Sequence, residues 1–298
     1  MSAIYDYLRA VAIVVAFIAA KQSKKAAWSF DLILTAWFGM GCFLFPQTVV
    51  SKVFESPSDP AVGYGVQTLG ACFLGVACFQ YLCLNSRDDT VIGSIALSKA
   101  LGFVPLLATS LYTYVTYQKK VDHAAFCFLL TIYTGIWLIN VMLLVETRPS
   151  IGRREQRGPV SVVFRLMFLV FLLHGLAALA FPSTILSLMK MKETMASNYL
   201  VQSIGVLLIS NIFTSWYAPC FLRKEDKKSF IVSQIVFVGL LTLASVYYCN
   251  LRKENTKAVL LQIGHSLVGG ILPAVGYFLL TREDRVPTNS YFTRSKSS

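Results

Sequence analysis

The sequence predicts an all-α fold, a polytopic transmembrane helical bundle. Of its 298 residues, 55% are hydrophobic and 14% are charged, whereas soluble domains carry about 25% charged residues. The apolar residues lie in continuous runs of about 20, the length that a helix needs to cross the hydrocarbon core. The strands of a transmembrane barrel would instead alternate apolar and polar residues. We therefore expect helices that span a bilayer.

Eight apolar stretches reach that length, and turn or charge signals separate them. They cover residues 28–45, 61–84, 90–117, 123–145, 160–181, 198–221, 229–248 and 258–280. A ninth stretch, residues 4–20, contains Asp6 and Arg9 but is apolar from residue 11 onward. Because its apolar residues surround the helix on all sides, it is more typical of a span than of an interfacial helix. The prediction is eight or nine spans.

Lys and Arg residues divide unequally between the two sides of this topology. One side holds 16 of them, in the segment before residue 28, at Arg87, in the linker 148–157, in the turn RKEDKK and in the tail, and the other side holds half as many. The positive-inside rule therefore places the linker and the C-terminus in the cytosol, in the endoplasmic reticulum or plasma membrane. The net charge of +12 favours anionic lipid head groups as partners, because the concentrated basic stripe of nucleic-acid binding is missing. Protein partners are not indicated.

The two halves of the chain repeat each other. LFPQTVVSKVF at 44–54 matches AFPSTILSLMK at 180–190 with an offset of 136 residues, and QTLG at 67–70 matches QSIG at 202–205 with an offset of 135. SIALSK at 94–99 matches SFIVSQ at 229–234, again at 135. We predict two tandem four-helix repeats, 28–150 and 151–284. They follow a hydrophobic helix and basic turn (1–27) and precede a disordered basic tail (285–298). Since four spans return the chain to the same side, the repeats would be parallel.

Each half has a glycine-bearing first helix that ends in Phe-Pro, a gap of about 20 residues, and a second helix with Gly followed by small residues and leucines. A Ser or Thr with a polar neighbour then enters the third helix. This order resembles the small four-span membrane proteins induced by the p53 tumour suppressor and, more loosely, the DoxX-like four-helix membrane proteins. The resemblance implies a four-helix unit and carries no enzymatic activity.

Lys99 lies in the otherwise apolar run SIALSKALGF. One interpretation is that its ammonium group extends to the cytosolic interface. The other is that it pairs with Asp31, Asn140 or Glu146, which are predicted to lie in the same half of the membrane. In the second repeat Gln234 takes the place of Lys99, and Arg165 falls within two residues of the position of Asp31. The candidate intramembrane polar site comprises Lys99, Gln234, Asp31, Glu146, Asn140 and Arg165.

Two Gln and Gly pairs begin the second helix of each repeat, Gln67 with Gly70 and Gln202 with Gly205. Glycine permits close approach of a neighbouring helix and Gln can hydrogen-bond to it. We therefore interpret these four residues as helix-packing positions.

Catalytic and metal motifs are missing from the sequence. It has no CxxC, HxxxH, GxSxG or P-loop pattern. We expect no metal or cofactor and no enzymatic activity. The expected function is that of a membrane protein that organises, regulates or contacts lipids. The alternative is a small-solute transporter or channel with a polar site between the repeats. A lipid-directed enzyme with His174 or His265 as general base is the least favoured.

Overall fold

The computed structural model describes residues 23–54, 60–147, 158–189, 191–252 and 269–282. In these ranges the chain is helical, apart from short connections and one isolated bridge between Phe54 and Val121. The helices are α1 (Lys24–Leu44), α2 (Pro46–Val53), α3 (Pro60–Leu82), α4 (Asp89–Thr116), α5 (His123–Thr147), α6 (Pro159–Ala180), α7 (Pro182–Leu188), α8 (Met195–Tyr217), α9 (Lys224–Arg252) and α10 (residues 269–282).

Seven of these helices are long and apolar enough to cross a membrane, namely α1, α3, α4, α5, α6, α8 and α9. They correspond to the first seven predicted spans, with ends that differ by a few residues. The prediction of an all-α transmembrane bundle is confirmed. Of the eighth predicted span, the structure describes α10. Residues 4–20, the linker 148–157 and the tail 285–298 lie outside the described residues.

Local sequence signals explain where the helices begin. Ser23 caps α1 by accepting a hydrogen bond from the backbone N–H of Ala26 at 3.1 Å, and Asp88 caps α4 through Thr90 N at 2.9 Å. Thr194 and Ser197 form a reciprocal capping box at the start of α8. Each cap satisfies a backbone N–H that has no partner within the helix. These polar residues at the ends of apolar runs therefore mark the boundaries of the spans.

The two Phe-Pro pairs end one helix and start another. Helix α1 ends before Phe45 and α6 ends before Phe181, and the prolines that follow occupy the first turn of the short helices α2 and α7. Proline suits that position because the first N–H groups of a helix have no partner. The sequence analysis predicted the interruption but missed the two short helices.

The helices of the two halves pack in a reciprocal manner. We call residues 24–147 the first half and residues 159–282 the second half. Helix α1 packs on α3 as α6 packs on α8, and α3 and α8 also contact each other between the halves. Helix α4 of the first half packs on α8 of the second, while α9 of the second half packs on α3 of the first. Each half therefore contributes one helix that covers the central helix of the other.

Candidate functional site

A charged pair lies in the interior of the first half. The Lys99 ammonium group on α4 donates a hydrogen bond to Asp31 Oδ2 on α1 at 2.6 Å. The side chain of Lys99 is 4% exposed and that of Asp31 is 0% exposed. Charged groups in hydrocarbon are strongly disfavoured unless they are paired or hydrated. The structure therefore places Lys99 in a buried ion pair and not at the membrane interface.

The hydrogen bonds around this pair form a closed network. Lys99 Nζ also donates to Thr35 Oγ1 at 2.7 Å and to Gln80 Oε1 at 2.9 Å, so all three of its hydrogens have acceptors. Asp31 also accepts from Gln80 Nε2 at 2.6 Å and from Asn140 Nδ2 at 2.9 Å. We call these five residues the charged network.

The charged network connects all four long helices of the first half. Asp31 and Thr35 lie on α1, Gln80 on α3, Lys99 on α4 and Asn140 on α5. A four-residue spacing puts Asp31 and Thr35 on the same face of α1. A buried ion pair is tolerated when further hydrogen bonds satisfy its remaining donors and acceptors. This arrangement can therefore hold the register of four apolar helices that otherwise have only shape to align them.

Two residues of the predicted polar site lie elsewhere. Glu146 is exposed, because six residues of helix turn it by roughly 120° away from the buried Asn140 on α5. Arg165 is half-buried on α6, where its guanidinium group lies 3.9 Å from the centroid of the Trp216 ring. The structure thus brings Asp31 and Asn140 to Lys99 but places Glu146 and Arg165 outside the charged network.

Gln234 lines a small cavity beside the network, between the two halves. The cavity has a volume of about 20 Å³, which is enough for a water molecule. The Lys99 side chain borders it as well, so the two aligned polar positions meet there. Its other polar walls are Ser98, Ser210, Asn211, Thr214 and Ser233. We call this space the axial cavity.

The walls of the axial cavity repeat with the offset found in the sequence. Five residues of the first half line it, and the residues 135 positions later line it from the second half. The pairs are Val76 with Asn211, Phe79 with Thr214, Ile95 with Phe230, Ser98 with Ser233, and Lys99 with Gln234. The remaining wall residue, Ser210, is 135 positions after Gly75, which has no side chain to contribute. Equivalent positions of the two halves therefore face each other across one space.

The glycines of the predicted packing positions lie at close helix contacts. A Cβ atom added to Gly70 would lie 2.8 Å from the Gly39 carbonyl oxygen, and one added to Gly205 would lie 2.8 Å from the Gly175 carbonyl oxygen. Real Cβ atoms do not approach so closely, so each site requires glycine. Gln67 Nε2 donates to the Phe43 carbonyl oxygen at 3.3 Å. Gln202 is half-buried.

One end of the bundle carries the starts of α1, α4 and α9. Asp88 is buried there and accepts from the backbone N–H groups of Thr90 and Leu222, at 2.9 and 2.7 Å. Asp226 is also buried and accepts from Ser86 Oγ at 2.9 Å. These two carboxylates tie the turn after α3 to the turn after α8.

The cations of the same end remain at the surface. Lys25, Arg87 and Arg223 are exposed. Among the acidic residues at this end, Asp89 pairs with Lys24 at 2.9 Å, and Glu225 is exposed 3.9 Å from Arg223. Because its carboxylates are largely used in internal contacts, the surface at this end is basic. We call it the basic end.

The opposite end contains an exposed carboxylate with two hydrogen-bond donors. Ser183 Oγ and Asn198 Nδ2 donate to Glu193 Oε1 at 2.5 and 3.1 Å. Both hydrogen bonds, the one from Ser183 first, lower the pKa of Glu193 because they favour its charged form. This contact ties the short helix α7 to the start of α8.

Three polar residues of the interior were missed by the sequence analysis. Gln80 and Thr35 complete the charged network, and Thr214 pairs with Ser98 between the halves at 2.7 Å. Gln80 is the most informative omission, because an amide within an apolar run carries the same signal that identified Gln67. Thr35 and Thr214 resemble the many helix hydroxyls that bond to their own backbone.

The fold and these buried polar contacts define a polytopic α-helical membrane protein. The chain belongs to the family described as a domain of unknown function (DUF8292), whose model matches residues 29–263. The match covers most of the chain and includes both the charged network and the axial cavity. No curated protein and no solved structure matches the chain.

Proposed function

We propose that this chain is a non-enzymatic multi-pass membrane protein that organises or regulates its surroundings by contact with anionic lipids. The observation that carries the proposal is the basic end, where buried Asp88 and Asp226 serve the fold and Lys25, Arg87 and Arg223 remain exposed. Basic residues beside a membrane span attract anionic head groups, with about 1 kcal/mol for each cation near the surface. The positive-inside rule assigns this end to the cytosol, in the endoplasmic reticulum or plasma membrane.

The closed charged network supports a structural interior. All three hydrogens of the Lys99 ammonium group have acceptors within the first half. A solute that bound there would have to replace these bonds inside the apolar core. The network therefore favours a bundle that is held together over one that opens around Lys99.

The experiment compares the stability of the protein in two kinds of nanodisc. We expect a higher melting temperature in nanodiscs of phosphatidylserine and phosphatidylcholine than in phosphatidylcholine alone, and a smaller difference at high salt because the attraction is screened. The double variant Arg87→Gln/Arg223→Gln should lose part of this difference. Lys119→Gln/Lys120→Gln is the matched control, because both lysines are exposed at the opposite end. An equal loss in both double variants would refute the assignment to the basic end.

A tandem duplication of one four-helix unit is the inferred origin of this architecture. Three features support it: the reciprocal packing of α4 and α9, the two glycine contacts, and the five wall pairs 135 residues apart. Two of the interhelical contacts are reciprocal as well. Gly75 contacts Phe237, and Gly102 contacts Ser210, so the two pairs exchange under the same offset. The corresponding pseudo-two-fold axis would pass through the axial cavity.

A small-solute transporter or channel is the second candidate function, and the polar walls of the axial cavity favour it. Its test is the flux of protons, chloride and small neutral solutes in proteoliposomes. Flux above that of empty vesicles, and its loss in Gln234→Leu, would replace the proposal above with transport. Flux equal to that of empty vesicles would exclude transport of these solutes.

A further inference from the structure

The axial cavity contains a buried hydrogen-bond acceptor without a partner. Gln234 is 5% exposed, and its Oε1 atom has no hydrogen-bond partner. The Gln234 amide nitrogen has only a long contact of 3.5 Å with Ser233 Oγ. A buried amide oxygen without a donor is costly, and such groups in proteins are usually satisfied by a neighbouring side chain or by an ordered water.

The hydroxyl groups around the cavity supply mainly acceptors. Ser210 Oγ donates to the Leu207 carbonyl oxygen at 2.9 Å, and Ser233 Oγ donates to the Phe230 carbonyl oxygen at 2.6 Å. Their oxygen atoms therefore retain lone pairs but no free hydrogen. Lys99 adds no donor, because its three hydrogens are bound within the charged network.

One donor remains at the interface of the halves. Ser98 Oγ and Thr214 Oγ1 lie 2.7 Å apart, so one hydroxyl hydrogen bridges the pair. The second hydroxyl hydrogen of this pair is available to a neighbour. The cavity thus presents one donor, the unpaired Gln234 oxygen and further hydroxyl lone pairs.

We propose that the axial cavity is a binding site for one small uncharged hydrogen-bond donor, and that the resident ligand is a water molecule that donates to Gln234 Oε1. Water accepts one hydrogen bond from the Ser98–Thr214 pair and donates two, which matches the walls. The volume of about 20 Å³ holds a water molecule but no larger solute. The site joins α4 of the first half to α8 and α9 of the second.

Ionic ligands fit the axial cavity poorly. The neighbouring ammonium group of Lys99 is neutralised by Asp31, so the ion pair adds no net charge to bind an anion. The walls contain no carboxylate that would neutralise a cation. A desolvated ion in this position would therefore lack a counter-charge, which is prohibitive in a low-dielectric interior.

Radiolytic hydroxyl labelling with mass spectrometry tests this site in the full-length protein in nanodiscs, because it modifies side chains beside bound water. Phe79 and Phe230 line the cavity and are 2% and 1% exposed. Phe103 and Phe126 are matched controls, 1% and 0% exposed and outside the cavity walls. We expect Phe79 and Phe230 to be labelled several-fold faster than the controls. Equal labelling of the four rings would show a dry cavity and overturn the proposal.

The Gln234→Met variant identifies the acceptor, with Gln67→Met as its control because Gln67 is a similarly buried amide with its own partner. Gln234→Met should abolish the excess labelling of Phe230, whereas Gln67→Met should leave it unchanged. Excess labelling that persists in Gln234→Met would refute Gln234 as the acceptor. Excess labelling that ammonium chloride suppresses and sodium chloride does not would show a cationic ligand and overturn the uncharged class. Each of these results is independent of the lipid preference of the basic end.

Discussion

Removal of the Lys99 ammonium group is the sharpest perturbation of the first half. The substitution Lys99→Met keeps most of the apolar stem and deletes three hydrogen bonds, to Asp31, Thr35 and Gln80. The Asp31 carboxylate would remain fully buried with only its two amide donors. Loss of one partner from a buried ion pair costs about 3–5 kcal/mol, which is roughly a 10² to 10⁴-fold change in the unfolding equilibrium.

The assay is the free energy of unfolding in bicelles, measured by steric trapping. Lys99→Met should lose about 3–5 kcal/mol. The double variant Lys99→Met/Asp31→Asn should lose less than Lys99→Met alone, because it leaves no unpaired charge. Lys52→Met is the control, since Lys52 is exposed on α2 and exposed substitutions change stability by about 0.5 kcal/mol or less. A loss as small as that of the control would refute the buried ion pair and favour a lysine that reaches the interface.

Three further predictions concern packing, the network and topology. Gly205→Leu should destabilise the protein by at least about 1–3 kcal/mol because a backbone carbonyl oxygen blocks the new side chain, whereas Gly135→Leu, with open space around it, should be nearly neutral in thermal unfolding; similar losses would contradict the glycine contact. Asn140→Leu should cost about 1.5–3 kcal/mol because Asp31 loses a charge-assisted hydrogen bond, while Glu146→Gln should have little effect on the same unfolding curve. A cysteine in place of the exposed Glu225 should react with a membrane-impermeant maleimide only after the plasma membrane is permeabilised; reaction in intact cells would reverse the topology.

The charged network was partly predictable from the sequence. An isolated lysine in an apolar helix needs a partner, and the topology placed Asp31 and Asn140 in the same half of the membrane as Lys99. Glu146 satisfied that argument equally well, because depth in the membrane was the only criterion and the rotation of α5 about its axis was unknown. Gln80 was overlooked because a neutral amide carries a weaker signal than a charge.

The axial cavity was less predictable. The sequence alignment paired Lys99 with Gln234, but only the structure shows that both line one space. Their meeting depends on α4 and α9 each packing on a helix of the other half. A repeat in a sequence reports which positions are equivalent and contains no information on whether the units exchange helices.

The sequence by itself determined the class of fold and the boundaries of most spans. Apolar length, capping residues and Phe-Pro pairs act over a few neighbouring residues, so their consequences can be derived without the rest of the chain. Only the tertiary structure decided which polar residues meet inside the bundle. The rotation of each helix about its axis depends on packing against all of its neighbours at once, and a turn of roughly 100° per residue separates the buried Asn140 from the exposed Glu146.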